Sequence, residues 1–394
     1  VYISLLHEYP AIQLQMLTLC QASEWFTERL IKYPILLDSL LSTAEAFRNQ
    51  YDVKHLLELE LERVDGYKAD SEAADIAELD LEQLMERMRQ FKRQTVFTVA
   101  MLDVFYAEPV ETVSDHLTDL ANALLEKILV FSWQAMAARH GEPQCVIDGE
   151  VVHPQMSIVA YGKMGGIELG YGSDLDLVFL YDAESTGSTD GKRSIGNTVF
   201  YTRLGQRMIH ILETRMAMGQ LYEVDMRLRP SGESGMLVTP VEGFRNYQQD
   251  TAWTWEHQAL VRARFVAGDP QVAAKVDEIR SAVLCQRREE ADLAREVIAM
   301  RDKMRRHLLP KGDAEEGEFH LKQGRGGIVD IEFMVQYAVL AWSHREPELA
   351  RWTDNVRILE TLGREGLFDP QECEALTEAY LAYRSAAHQL SLQQ

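Results

Sequence analysis

The chain has 394 residues, with 62 Asp plus Glu against 40 Lys plus Arg, a net charge of −22 and a hydrophobic share of 46%. That share is globular rather than disordered, and the length predicts two or three domains. The acidity excludes a non-specific nucleic-acid binder, although a nucleotide substrate stays open where a metal carries positive charge. No apolar run approaches the roughly 20 residues that span a bilayer, and no basic-then-apolar leader opens the chain. The cysteines (Cys20, Cys145, Cys285, Cys373) are scattered without a CxxC, which predicts reduced thiols in a cytoplasmic protein. Val1 at the start and a helical pattern at the last residues predict a piece of a longer protein.

Residues 1–110 read as helical. Leu81, Leu84, Met85, Met88 and Phe91 recur at helical spacing. The acidic stretch Tyr51–Gln90 predicts a solvated helix face, with a partner-docking surface as the alternative. Glu108-Pro109 closes this region, and Ser114 is the expected N-cap of a helix over Asp115–Arg139. Met156–Tyr161 then reads as a strand entering a Gly-rich turn, and Asp174–Tyr181 as a second strand. Ser185–Gly191 reads as a polar loop. A helix follows with Phe200, Leu204, Met208 and Ile211 on one face and Gly219 as its stop. Leu221–Leu228 reads as a third strand and Met236–Val238 as a fourth. From about Asp269 the pattern is helical again. The expectation is an α+β, predominantly helical chain. A helical region covers 1–110, a small mixed-sheet catalytic domain 111–270, and a helical bundle 271–394.

The chemistry-bearing stretch is Ser173-Asp174-Leu175-Asp176-Leu177. Alternation in a strand puts Asp174 and Asp176 on one face and the leucines on the other. Paired carboxylates repel, and divalent cations such as Mg²⁺, which take carboxylates together with phosphates, relieve that repulsion. An edge strand with one polar face is the plain alternative. Upstream, Gly162, Gly165 and Gly166 surround Lys163 in a turn that admits close approach of backbone N–H groups to an anion. The spacing is neither a P-loop nor a dinucleotide fingerprint. Downstream, alternation sets Glu223, Asp225, Arg227 and Arg229 on one face. Beside the Asp-x-Asp strand this suggests a metal–triphosphate site, in which Asp225 takes a proton and the arginines hold phosphate oxygens. A cross-strand salt-bridge ladder is the alternative.

A glycine turn, an Asp-x-Asp strand, a crossover and a third acidic strand resemble the DNA polymerase β-like nucleotidyltransferase superfamily, with Lys163 where that pattern usually has Ser. The runs Gly162–Gly166, Ser173–Asp176, Val224–Gly232, Trp253–Arg264 and Gly326–Phe333 narrow this. They resemble the bifunctional glutamine synthetase adenylyltransferase/adenylyl-removing family, while residues 1–110 match it only in helical character. The resemblance implies two homologous halves, one adding AMP to a tyrosine of glutamine synthetase and one removing it by phosphorolysis. Trp255–Arg262 and Val329-Asp330 resemble the adenylylating half.

On that resemblance Asp174, Asp176 and Asp225 are the catalytic and Mg²⁺-binding residues. Gly162, Lys163, Gly165, Gly166, Ser173, Arg227, Arg229, Arg262 and Lys322 face ATP. The implied partners are glutamine synthetase, a PII-type signal protein and ATP, with glutamine as an effector and neither nucleic acid nor membrane. The helical character of Trp253–Arg264 leaves Trp253 and Trp255 as core residues, or Arg262 and Arg264 as groups reaching the triphosphate or the acceptor loop. Lys322 and Arg325 face the nucleotide, while Asp330 and Glu332 cap and anchor the helix they open. His257 reads as a hydrogen-bonded helical histidine rather than a base. Arg301, Lys303, Arg305 and Arg306 form a candidate basic patch for an acidic partner. The alternatives are the removing half, a uridylyltransferase of a PII-type protein, and a non-catalytic docking module.

Overall fold

The computed structural model describes residues 7–40, 52–67, 79–147, 149–183, 187–309 and 319–393. The leading helices are α1 (Pro10–Ala22), α2 (Glu24–Lys32), α3 (Val53–Leu61), α4 (Leu81–Tyr106) and α5 (Val110–His140). Strands β1 (Pro143–Ile147), β2 (Glu150–Val152) and β3 (Met156–Ala160) follow, then the one-turn α6 (Gly162–Gly165), β4 (Leu175–Tyr181) and β5 (Ser188–Thr189). Next come α7 (Asn197–Glu213), β6 (Val224–Asp225), β7 (Val238–Pro240), α8 (Val241–Asp250), α9 (Thr254–Val261) and β8 (Arg264–Gly268). The chain closes with α10 (Pro270–Leu284), α11 (Glu290–Leu308), α12 (Ile328–Trp342), α13 (Asn355–Arg364) and α14 (Pro370–Ser391). The protein is thus α+β and mostly helical, with small mixed sheets. Among the described residues no helix is long and apolar enough to cross a membrane, and the four cysteines are unpaired.

The central sheet is built on β3 and β4, antiparallel from Met156 opposite Tyr181 to Ala160 opposite Leu177. β8 extends it antiparallel beyond β3. On the far edge of β4, β6 pairs parallel with its start and β7 parallel with its end. A smaller sheet has the order β2-β1-β5. Alternation along β3 and β4 divides their side chains between two cores. Ile158, Ala160, Leu175, Leu177, Phe179 and Tyr181 join α3, α4, α5 and α7, in a core that runs across residue 110. Val159, Tyr161, Val178 and Leu180 join the helices from α8 onward. The sheet is therefore covered on both faces, which is why β4 reads as a continuous apolar run after Asp176. A third core joins α1, α2 and the turn Pro34–Leu40 to Phe97, Met101 and Leu392, so the end of α14 reaches the leading helices.

Several local expectations shift. α5 begins at Val110, because Pro109 has the φ of −54° that suits a helix start. Ser114 therefore lies inside the helix, fully buried, and accepts a 2.6 Å hydrogen bond from the Arg384 guanidinium rather than capping. α7 ends at Glu213, and Gly219, with φ +86°, belongs to a separate turn closed on Met216. The third strand is only two residues long, since the chain turns at Arg227. Ser188–Thr189 pairs with β1 instead of staying loop, while 184–186 lie outside the described residues. Leu84, Met85, Met88 and Phe91 are buried in α4 as their spacing predicts. Of the acidic stretch Tyr51–Gln90, Tyr51 and 68–78 lie outside the described residues.

His388, buried on α14 with its ring 5.4 Å from that of Tyr171, is pushed from 6.5 down to about 4 by burial and by the charges of Arg384 and Lys163. Its folded pKa lies below the unfolded value, so the unfolded chain takes up the proton first as pH falls. The stability tied to His388 is full above about pH 6.5 and is lost toward pH 4, by about 3 kcal/mol at most. Urea denaturation across that window should show a shallower pH dependence in His388→Gln than in the unaltered chain. Equal slopes would contradict it.

Candidate active site at the edge of the mixed sheet

The turn after β3 holds the site together. Tyr161 donates its backbone N–H to the Asp176 carbonyl at 2.9 Å, tying the turn to β4. Gly162 has φ +54°, and a Cβ there would overlap the Asp176 carboxylate, so only glycine fits. A Cβ on Gly165 would likewise overlap the Arg262 carbonyl, and one on Gly166 the Arg262 guanidinium. Ser173 closes the next turn, its hydroxyl accepting from the Gly170 N–H at 3.0 Å.

The carboxylates converge as the alternation predicts. Asp176 and Asp225 are register partners across the parallel pair β4–β6, at the roughly 4.8 Å spacing of neighbouring strands. Asp174 stands exposed just before β4. Burial, then Asp174, then Asp225 push the Asp176 carboxyl up to about 6. Asp225 is held below the usual carboxylate range by Arg227, whose backbone N–H and Nε donate to it at 2.8–3.0 Å. Asp174, Glu223, Asp225, Arg227, Arg229 and Glu233 line a cavity of about 500 Å³.

The donor chemistry of Asp174 and Asp176 fits a hard divalent cation, because both carboxylates lack a bonded cation of their own. Among the described residues no three His, Cys, Asp or Glu side chains enclose a metal position, and the Arg227 clamp on Asp225 is the local reason. Lys163 and Lys322 form no hydrogen bond or ion pair among the described residues. Lys163 keeps solvent access, yet desolvation by its surroundings and the adjacent Lys322 lower its pKa. Two ammonium groups without a bonded carboxylate among the described residues thus stand beside the glycine turn, with Glu332 and Asp174 as the acidic neighbours of Lys163.

Other predicted groups are committed to structural hydrogen bonds and ion pairs. Arg229 spends its guanidinium on the carbonyls of Met226, Glu233 and Gly235, bracing the loop after β6. Arg262 is buried behind the turn. It pairs with Glu168 and, at 2.7 Å, with Glu332. Burial alone would lower its pKa, but Glu168, Tyr380 and Glu332 hold it well above the ordinary value. The Tyr380 hydroxyl donates to Glu168 at 2.6 Å and accepts from Asn355 at 2.7 Å. Arg384 lies 3.9 Å from Glu168. Arg264 caps the carbonyls of Met164 and Gly165. Glu168, Asn355, Tyr380 and Arg384 carry no local sequence signal, since their partners are far along the chain.

Trp253 and Trp255 are surface residues, 69% and 38% exposed, rather than core, flanking a groove with Met300 and Lys303. His257 bonds the Gln248 carbonyl at 2.9 Å, as expected of a structural histidine. Asp330 anchors the start of α12, accepting from Gly326 and from Arg301 and Arg305. That anchoring buries Arg301 and occupies Arg305, leaving Lys303 and Arg306 of the expected basic patch.

Fold and site define a predominantly helical protein around a small mixed sheet, with an acidic edge and a lysine-flanked glycine turn. The chain matches the family described as glutamate-ammonia ligase adenylyltransferase over residues 13–279, and that described as GlnD PII-uridylyltransferase over residues 298–394. The bifunctional glutamine synthetase adenylyltransferase/adenylyl-removing enzymes of Pseudomonas putida and Methylococcus capsulatus are 47% identical over 401 and 395 residues. That of Shewanella loihica is 46% identical over 400 residues. Each alignment covers 100% of this chain and 40% of the relative. The chain belongs to the glutamate-ammonia ligase adenylyltransferase family and spans about two fifths of the length of these curated relatives. The match begins at residue 13, so most of the leading helical region falls inside the family, which its motifs alone did not reach.

Arg262→Ala should destabilise the chain by about 3–5 kcal/mol in urea denaturation, because Glu168 stays buried without its partner. Adding Glu168→Gln should recover part of that loss. An additive second loss would mean the pair is not the source.

Proposed function

We propose that this chain is the adenylylating half of its family, a polymerase β-like nucleotidyltransferase that moves AMP from ATP to a tyrosine of glutamine synthetase. The observation that carries the reading is the register of Asp176 with Asp225, with Asp174 at the head of the same strand, in a chain of this family. Mg²⁺ held by Asp174 and Asp176, with Asp225 as third ligand once Arg227 yields, would offset phosphate charge and align the triphosphate.

The glycine turn admits the triphosphate beside Asp176, and Lys163 and Lys322 neutralise its oxygens. Asp225, once Arg227 yields, receives the proton of the tyrosine hydroxyl. The hydroxyl oxygen bonds to the α-phosphorus, the α–β phosphoanhydride bond breaks, and pyrophosphate carries away the electron pair. The exposed Trp253 and Trp255 offer a landing surface for a protein acceptor. The similarity of 298–394 to a PII-uridylyltransferase supports a PII-type signal protein as a partner. On this reading glutamine is the effector and the cytoplasm the location. The segments Trp255–Arg262 and Val329-Asp330 favour the adenylylating over the removing half.

Incubation with MgATP and unmodified glutamine synthetase should add one AMP per synthetase subunit by intact mass. Asp176→Asn should lower the rate by more than about 100-fold without lowering the melting temperature. No gain, with ADP released from premodified synthetase and phosphate, would assign the removing half. Partner binding without either turnover would assign a docking module.

A further inference from the structure

A second charged pocket lies where the leading helices meet the loops that precede the acidic strands. It measures about 210 Å³ and is lined by Trp25, Arg29, Lys92, Arg93, Tyr171 and Gln220, among others. Arg29 stacks 4.9 Å from the Trp25 ring, Lys92 3.8 Å from Tyr222 and Arg93 3.9 Å from Tyr33. Lys92 and Arg93 each give a donor to a carbonyl, of Leu221 and Met218. The Arg29 guanidinium forms no hydrogen bond or ion pair among the described residues. One helical turn away, Arg89 donates to the carbonyls of Met85, Ile211, Thr214 and Gly219.

Four cations therefore gather, and among the described residues no carboxylate is bonded to any of them. The acid among their electrostatic neighbours is Glu86, and it accepts from the Met218 N–H at 2.8 Å. Asp103 is held by the Tyr171 hydroxyl at 2.8 Å. In a chain with 62 acidic residues and a net charge of −22, an uncompensated cationic cluster is a costly arrangement. Burial and the charges of Arg93, Arg89 and Arg29 push the Lys92 ammonium down to about 7, which records that cost.

We propose that this pocket binds a small multivalent anion of the phosphate or dicarboxylate class between Arg29, Lys92 and Arg93. Its volume falls below the roughly 300–1,000 Å³ of drug-sized ligand clefts, so it suits such an anion and is too small for a nucleotide. Guanidinium groups recognise both classes by paired N–H donors. Tyr171 stands three residues before Asp174 and Gln220 five before Asp225. An occupant sits against both loops that deliver the acidic strands.

The test titrates the full chain with inorganic phosphate and, separately, with succinate, at ionic strength held constant with NaCl. Tryptophan fluorescence reports through Trp25. A saturable change with either anion, lost in Trp25→Phe and weakened at least about tenfold in Arg29→Gln, is the expected result. Arg29→Lys, which keeps the charge but loses the paired donors, should weaken the response less than Arg29→Gln, and Lys322→Gln, which alters only the lysine pair beside the glycine turn, should keep it. A response to phosphate alone assigns the phosphate class, to succinate alone the dicarboxylate class, and to both a site that reads charge. No saturable change beyond the salt control overturns the proposal. So does a response that survives Arg29→Gln, or one lost in Lys322→Gln.

Discussion

Taking the Arg262 guanidinium out of water costs several kcal/mol unless every N–H finds a charged or polar partner. Glu168 and Glu332 pair with its two terminal nitrogens, leaving only Nε without a partner among the described residues, and Tyr380, Asn355 and Arg384 surround Glu168 in turn. The consequence reaches further than stability. Glu168 follows the glycine turn, Arg262 ends α9, Glu332 lies on α12, Asn355 starts α13, and Tyr380 and Arg384 belong to α14. One buried ion network thus fixes four helices to the turn that touches Asp176. Because neither charge can be left alone, these elements cannot drift apart independently, and the glycine turn inherits the rigidity of the helical layer behind it.

Rigidity there has an electrostatic purpose in the fold. Asp174, Asp176 and Asp225 repel one another, and the Asp176 pKa is raised by burial first and by these two neighbours after it. The sheet absorbs that repulsion because β4 is clamped by apolar cores on both faces, with Leu177, Val178, Phe179 and Leu180 fully buried. Folding free energy from those side chains, about 1.5–3 kcal/mol each, outweighs the carboxylate repulsion. Arg227 neutralises one member of the trio, and the remaining two keep their charge available for a cation.

How much of this was legible in the sequence follows from which patterns are local. Alternation located β3 and β4 and put Asp174, Asp176 and Asp225 together, because a period of two survives any tertiary context. It failed one step later: beyond Asp225 the chain turns, and Arg229 leaves the face that strand parity assigned to it and braces a loop instead. Arg262 was misplaced for a different reason. Its partners stand 94 and 70 residues away, and no spacing rule connects them. Trp253 reads as core by composition, yet it is the N-cap residue of α9, and a cap position projects outside the helix it starts. Ser114 reads as a cap by type, but Pro109 had already set the start of the helix.

The placement of positive charge completes the picture. A chain with a surplus of carboxylates has ample acids for its Lys and Arg, so cations left without one mark places where folding did not use the pairing available. Among the described residues two such groups flank the acidic strands: Lys163 and Lys322 beside the glycine turn, and Arg29, Lys92 and Arg93 against Tyr171 and Gln220. The loops between these cationic groups are the segments that carry Asp174 and Asp225 into register. Any anion taken up at either place changes the field on the same two carboxylate-bearing segments, so the two occupancies share one structural element. By linkage, a preference of that element for one filled state must appear at both positions with equal free energy.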